Sequence, residues 1–241
     1  MNTVKPYKDE DGSKKEQVAK MFDSIAPKYD FLNHFLSMGI DKSWRKKAIA
    51  LLRNRPVVKL LDIATGTGDF AIEAAKNKNI QITGIDISEQ MLEEGRKKIE
   101  KLKLSQQIKL EKGDSEKIQF ADNEFDAVTV AFGVRNFENL HLGLKEMNRV
   151  LNPSGIAIIL EFSKPTKFPF KQFYHFYFIA ILPFIGRMVS SDRAAYTYLP
   201  ESVHHFPDGK AFLLEMENAG FKDCKAQKLT FGVASIYTGV K

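Results

Sequence analysis

Cysteine is almost missing from this chain. A single Cys224 in 241 residues rules out an internal disulfide and any metal centre built on a cysteine cluster, and it suits a reducing compartment. Long apolar runs are missing as well. The greasiest stretch, Phe173 to Ile185, is shorter than the ~20 residues that cross a bilayer, and Pro183 interrupts it. The first residues carry Lys, Asp and Glu in place of a secretory apolar core. No repeat of solenoid length and no low-complexity tract is present. No metal-ligand spacing and no nucleophile–base arrangement stands out, so no metal is expected.

What is present bounds the rest. With 44% apolar residues the chain can bury a full core, and its length suits one α/β domain over residues 1–241. Net charge is +6, with the excess in residues 1–60, where 13 Lys/Arg face 7 Asp/Glu. Such an excess suits an anionic membrane surface, nucleic acid or a solvated face; no nucleic-acid motif accompanies it, and none is expected as a partner.

Short apolar runs alternate with helical patterns. Strands are expected over Val57–Ile63, Ile80–Ile85, Ile108–Leu110, Phe125–Phe132 and Ile156–Phe162. Helices are expected from Ser13 to Pro27, over Lys42–Arg53, after Ser88, and over Leu140–Leu151. The alternation predicts a doubly wound, mostly parallel sheet. A helix over Phe206–Ala219 and two β-rich segments, Phe221–Leu229 and Gly232–Val240, then predict a closing antiparallel hairpin. Residues 14–55 read as a helical cap and 163–203 as an aromatic insert.

The first strand runs into Asp62-Ile-Ala-Thr-Gly66-Thr67-Gly68-Asp69. Glycines there let backbone approach a ligand, and the next helix offers free N–H groups. Gly66-x-Gly68-x-x-Ala71 fits the loose dinucleotide fingerprint, which keeps a nicotinamide-dependent reductase open. Carboxylates at Asp62 and Asp69 favour instead a donor with positive charge and no phosphate, S-adenosylmethionine. Asp69 also reads as a helix N-cap. Asp86 follows Gly68 by 18 residues, the range at which a carboxylate reaches a ribose diol. Asp114 and the Gly133–Arg135 segment also fall at predicted strand ends, the edge where such sheets bind ligands.

The insert from Phe168 to Leu199 reads either as a core helix with a homodimer contact or as a lipophilic wall touching a membrane surface, with Lys164, Lys167 and Lys171 beside it. The expected location is therefore cytoplasmic, with transient contact at the inner face of the membrane.

Specific motifs span Val18 to Val240: Tyr29-Asp30-x-x-Asn33 with Ser37-x-Gly39 and Trp44, the turn Gly66-Thr67-Gly68-Asp69, Phe132-Gly-Val-Arg135-Asn136, Glu161-Phe-Ser-Lys-Pro165, Tyr196-x-Tyr-Leu-Pro-Glu-Ser202 and Leu229-Thr-x-Gly-Val-Ala234. On these the chain resembles the ubiquinone/menaquinone biosynthesis C-methyltransferases. The resemblance implies a class I methyltransferase fold that uses S-adenosylmethionine to methylate a ring carbon of a prenylated quinol. Its product is menaquinol from demethylmenaquinol or, alternatively, the benzoquinol equivalent. It implies cofactor contacts at Thr67 and Asp86, with Asp114 and Ser115 around the adenine; Asp62, Gly66, Gly68 and Ile87 complete the expected cofactor set. Two departures from the family pattern are Thr65, where a smaller residue is usual, and Ala131 in place of a serine.

Attack by a ring carbon needs a base, an oxyanion stabiliser and a dry pocket. Arg135 suits the oxyanion role, with a salt bridge as the competing reading, and Asn136 would orient the same oxygen. Base candidates are Tyr29, Asp30, His34, His175, His204, His205 or an ordered water, with Tyr29 and Asp30 on the cap placed first.

Overall fold

The structure is a computed structural model that describes residues 4–177 and 193–241. Strands Lys59–Ile63 (β1), Gln81–Asp86 (β2), Ile108–Lys112 (β3), Phe125–Ala131 (β4), Leu151–Phe162 (β5), Lys222–Leu229 (β6) and Ala234–Val240 (β7) form one sheet in the order β3-β2-β1-β4-β5-β7-β6. β1 to β5 are parallel, and β7 runs antiparallel to both β5 and β6. This is the α/β sheet closed by an antiparallel hairpin that the sequence pattern predicts.

The central strands β1, β4 and β5 are mostly apolar and buried because both of their faces are covered, whereas the edge strands β3 and β6 carry exposed lysines. Successive residues point to opposite faces: Leu60 packs with Trp44 and Phe70 on one side, and Leu61 with Leu144 and Met147 on the other. The covering helices are Asp69–Ala74 (α4), Glu89–Lys101 (α5), Leu140–Val150 (α6) and, in the connection from β5 to β6, Lys210–Asn218 (α9). The strand order reverses between β1 and β4, and such switch points open a crevice at the carboxyl ends.

Over that edge lie Lys14–Ile25 (α1), Tyr29–Leu36 (α2) and Ile40–Ile49 (α3). Ser13 starts α1 through a capping box with Glu16. Val18, Met21 and Leu32 of α1 and α2 pack against Ala195 and Tyr198 of Arg193–His205 (α8). Phe170–Phe176 (α7) is the described part of the aromatic insert. The rest of that predicted apolar stretch, through residue 185, lies outside the described residues.

Three boundaries depart from the sequence pattern. α2 occupies the Tyr29-Asp30-x-x-Asn33 stretch, for which the sequence pattern predicts no helix. Asn152-Pro153-Ser154-Gly155, expected to separate helix from strand, lies inside β5 as an irregularity between the pairs Phe125–Leu151 and Ala127–Ile156. Phe206 precedes the last helix instead of opening it, because Asp208 and the left-handed Gly209 (φ 65°) intervene.

Candidate active site

The turn after β1 depends on left-handed backbone at Gly66 (φ 56°) and Gly68 (φ 81°), which a side chain would strain. Asp62 lies beneath this turn, where it accepts from Thr65 Oγ1 at 2.6 Å and Thr129 Oγ1 at 2.7 Å. Burial pushes its carboxyl up to about 6, although both hydroxyls oppose the shift. It braces the turn from inside and is not on the ligand-facing wall. Gly68, not Asp69, is the N-cap of α4. Asp69 sits in the first turn and pairs with Lys98 Nζ at 2.7 Å.

A cleft opens over the strand ends, lined by Gly66, Asp86, Ile87, Asp114, Ser115 and Asn136 among others. Asp86 accepts from Gly66 N at 2.8 Å and Ser88 N at 2.9 Å. Burial lifts its pKa to about 6 against those backbone donors. The charged lining is Asp86, Asp114, Glu116 and Glu138 against Lys15 alone. Lys15 is already paired, 2.6 Å from Asp114 and 3.3 Å from Glu116. Such a wall repels a pyrophosphate and suits a nucleoside that carries ammonium and sulfonium charge, so the residues fit S-adenosylmethionine. Thr67 and Gly68 are not on this wall. Thr67 is buried, and its hydroxyl donates to Asp30.

Beside the cleft is an apolar chamber of about 650 Å3. Its walls come from α1, α2 and α3, from the Phe132–Arg135 loop, and from Phe173 and Tyr177 of the insert. Trp44 Nε1 donates to Thr230 Oγ1 at 2.8 Å, which ties the cap to the terminal hairpin. The Tyr177 hydroxyl donates to Leu36 O at 2.7 Å and ties the cap to the insert. Phe22, Tyr29 and Phe132 belong to both cavities and form their common wall.

Arg135 lines the chamber, and its guanidinium pairs with the fully buried Glu161 at 2.9 Å. Burial raises the Glu161 pKa, and the Arg135 charge opposes that rise. One Arg135 nitrogen also bonds Phe132 O, while Nε is buried with no protein partner. The salt bridge therefore leaves Arg135 on the chamber wall. The side-chain oxygen of Asn136, on the cleft wall, is likewise buried without a partner. Tyr29 stands between the cavities, and burial holds its hydroxyl protonated well above neutral pH.

Asp30 does not reach either cavity. Its carboxylate accepts from Lys98 Nζ at 2.6 Å and from Thr67, which locks α2 onto the glycine turn. His175, His204 and His205 are exposed and line neither cavity. Sequence reasoning missed Arg45 and Asp41, both buried and both in the chamber wall. Their i, i+4 spacing on α3, beside the only tryptophan, was the available signal.

The sequence profile described as the ubiE/COQ5 methyltransferase family matches residues 10–241. A demethylmenaquinone methyltransferase of Bacteroides fragilis is 47% identical over 239 residues, covering 99% of this chain and 97% of the relative. The ubiquinone/menaquinone biosynthesis C-methyltransferase of Geotalea daltonii is 47% identical over 230 residues, covering 95% and 97%. Among solved structures, a SAM-dependent methyltransferase from Thermotoga maritima superposes with a TM-score of 0.65 at 20% identity, covering 92% of this chain and 99% of that one; at that identity the likeness concerns the fold.

Proposed function

This chain belongs to the ubiE/COQ5 methyltransferase family, and from that premise we propose how its two cavities divide the reaction. The protein is an S-adenosylmethionine-dependent methyltransferase that methylates a ring carbon of a prenylated quinol in quinone biosynthesis. The substrate in our reading is demethylmenaquinol, with menaquinol as product. One observation carries it: a carboxylate-rich cleft and a large apolar chamber share the wall Phe22, Tyr29 and Phe132.

Asp86 accepts the ribose hydroxyls of the bound nucleoside, and Asp114 and Ser115 flank its base. When bound, S-adenosylmethionine supplies an electrophilic methyl group on a sulfonium. The chamber takes the quinone ring and the first isoprenoid units, and its size falls within the ~300–1,000 Å3 of ordinary ligand pockets. Arg135, on the chamber wall, stabilises the ring oxygen by its charge as it becomes anionic, and water exclusion strengthens that interaction. Asn136 orients the same region from the cleft side. In this division α1 to α3 and the described helices of the 163–203 segment, α7 and α8, form the substrate side of a single domain.

The prenyl tail needs an exit, and Met38, Phe173 and Phe176 line the chamber while remaining largely exposed. Phe31, Phe35 and Phe168 add further exposed rings, and Lys164, Lys167 and Lys171 lie on the adjoining chain. This face supports transient contact with an anionic membrane surface. Among the described residues no helix is long and apolar enough to cross a membrane. Methyl transfer measured side by side on demethylmenaquinol and a demethoxy-type benzoquinol tests the substrate reading; preference for the benzoquinol overturns it. Calorimetry with S-adenosylhomocysteine and with NADH tests the cleft.

A further inference from the structure

The cluster on α2 and α3 is not used by the reading above. Asp41 is the one carboxylate among the described residues of the chamber wall, and it is only 3% exposed. Its Oδ1 accepts from Ser37 Oγ at 2.6 Å, and Ser37 also lines the chamber. Its Oδ2 meets the Arg45 guanidinium and lies 2.9 Å from His34 Nδ1. His34 Nε2 is 3.5 Å from Asp69, and Arg45 is 3.7 Å from the same carboxylate. His34, Asp41 and Asp69 have the spacing of a cation site, but the cation they surround is the Arg45 guanidinium. Arg45 Nε is buried with no protein partner, and the Arg45 guanidinium carbon sits 5.7 Å from the centre of Phe132 in the wall shared with the cleft.

The other base candidates are poorly placed. Tyr29 is held protonated by burial, Asp30 is committed to Lys98 and Thr67, and Arg135 is a permanent cation. Resting on the chamber being the quinol site, we propose that Asp41 is the general base for the substrate hydroxyl. Arg45, on the same wall, steadies the resulting oxyanion by its charge, and His34 is a positioning residue that fixes Oδ2. In this step the substrate O–H bond breaks, its electron pair stays on oxygen, and the proton goes to Asp41 Oδ1. The oxyanion then donates electron density into the ring, which makes the neighbouring carbon nucleophilic.

Asp41 is a weak base. Burial alone would raise its pKa, but the Ser37 hydrogen bond and the Arg45 charge more than offset that and hold it below the usual carboxylate range. A weak base suffices where two guanidiniums, Arg45 and Arg135, lower the acidity barrier of the substrate itself, and in a dry chamber their effect is large. The titratable and charged groups facing Asp41 are His34 on α2, Arg45 on α3 and, one contact further, Asp69 on α4 with its Lys98 partner on α5.

The test compares Asp41→Asn with wild type on short-chain demethylmenaquinol and on a ring-fluorinated analogue whose hydroxyl ionises more readily. Removing a general base is expected to lower kcat at least about 100-fold, with S-adenosylhomocysteine affinity unchanged by calorimetry. The defect should shrink at least about tenfold on the fluorinated substrate. Variant kcat should rise about tenfold per pH unit at alkaline pH, where wild type is flat. His34→Asn, which still donates to Oδ2, should retain turnover, and His34→Leu should not. Trp44, the only tryptophan, lines the chamber, so its quenching by short-chain menaquinone reports occupancy without any cofactor. If Asp41→Asn proves unstable, Asp41→Asn/Arg45→Gln removes both charges together and should show the same alkaline slope. Absent quenching in the wild type overturns the chamber itself. Normal quenching with variant turnover within threefold of wild type, or an equal defect on both substrates, overturns the base assignment alone.

Discussion

Trp44 Nε1 donates to Thr230 Oγ1 across a sequence separation of 186 residues. That bond joins α3 of the cap to the turn of the terminal hairpin and closes one side of the chamber. Trp44→Phe keeps an aromatic ring against Phe132 and Phe162 but loses the bond to the exposed Thr230. It should cost about 0.5–1.5 kcal/mol of stability, read as a lower Tm. Because Trp44 is outside the cleft, S-adenosylhomocysteine affinity should stay within about threefold while KM for the quinol rises. Equal weakening of both ligands would show that the two cavities are not separable.

Asp86 and Asp62 share a pKa near 6, yet only Asp86 faces the cleft. Both are raised above the unfolded value of about 3.9. The native state therefore binds more protons between roughly pH 4 and 6, and these two groups favour folding as pH falls through that window. Cofactor affinity should run the other way, since a protonated Asp86 no longer presents a full acceptor. The Kd for S-adenosylhomocysteine should weaken below pH 6 in wild type. It should be weak and nearly pH-independent in Asp86→Asn. Asp62→Asn should destabilise by about 1–3 kcal/mol, read as a lower Tm, because one of its two acceptor oxygens becomes an amide donor facing a threonine hydroxyl, and it should leave the pH dependence of affinity in place. A calorimetric pH series on the three proteins decides this.

The sheet was legible because its signals are local. Five apolar runs, each followed by a helical pattern, leave little choice but a parallel sheet, and Gly220 with two short β-rich runs marks the hairpin. The cleft was largely legible too, since Gly66, Asp86, Asp114 and Ser115 fall at strand ends that one topology brings together. Asp62 misled because period-two alternation fixes which face a strand residue points to but not whether a threonine waits there to bond it. Asp30 misled because Lys98 is 68 residues away. Arg45 opens the basic run Arg45-Lys46-Lys47, which looks like a solvated helix face, whereas the chamber buries it beside Trp44. Long-range pairing decides such cases, and no local pattern encodes it.

Arg135 and Glu161 must be perturbed with care, because Arg135→Ala leaves a fully buried carboxylate without its partner, at a cost of about 3–5 kcal/mol. Arg135→Lys keeps the charge but loses the planar fork. It should fold, bind S-adenosylhomocysteine within about threefold of wild type, and lose about 100-fold in kcat if the ring oxygen needs the guanidinium. Glu161→Gln is the control: it should lower Tm yet retain most of that turnover. Turnover by Arg135→Lys equal to wild type would reduce Arg135 to a pin for the loop after β4.

Phe31 and Phe35 stack on the outer side of α2 with ring centres 5.8 Å apart, and neither lines the chamber. They are 64% and 55% exposed, and Phe168 is 80% exposed. Water-exposed rings of this kind stabilise the fold little, so replacing all three by serine should leave Tm nearly unchanged. On a bilayer each inserted ring contributes up to about 1.5–3 kcal/mol. The triple serine variant should therefore sediment at least about tenfold less with vesicles containing anionic phosphatidylglycerol, while turning over a detergent-dispersed short-chain quinol at the wild-type rate. Wild-type binding should also weaken as salt rises, since the exposed Lys167 and Lys171 contribute electrostatically, while Lys164 is paired with Asp208. Vesicle binding that survives the triple replacement would place the membrane contact elsewhere on the molecule, or remove it from the reaction altogether.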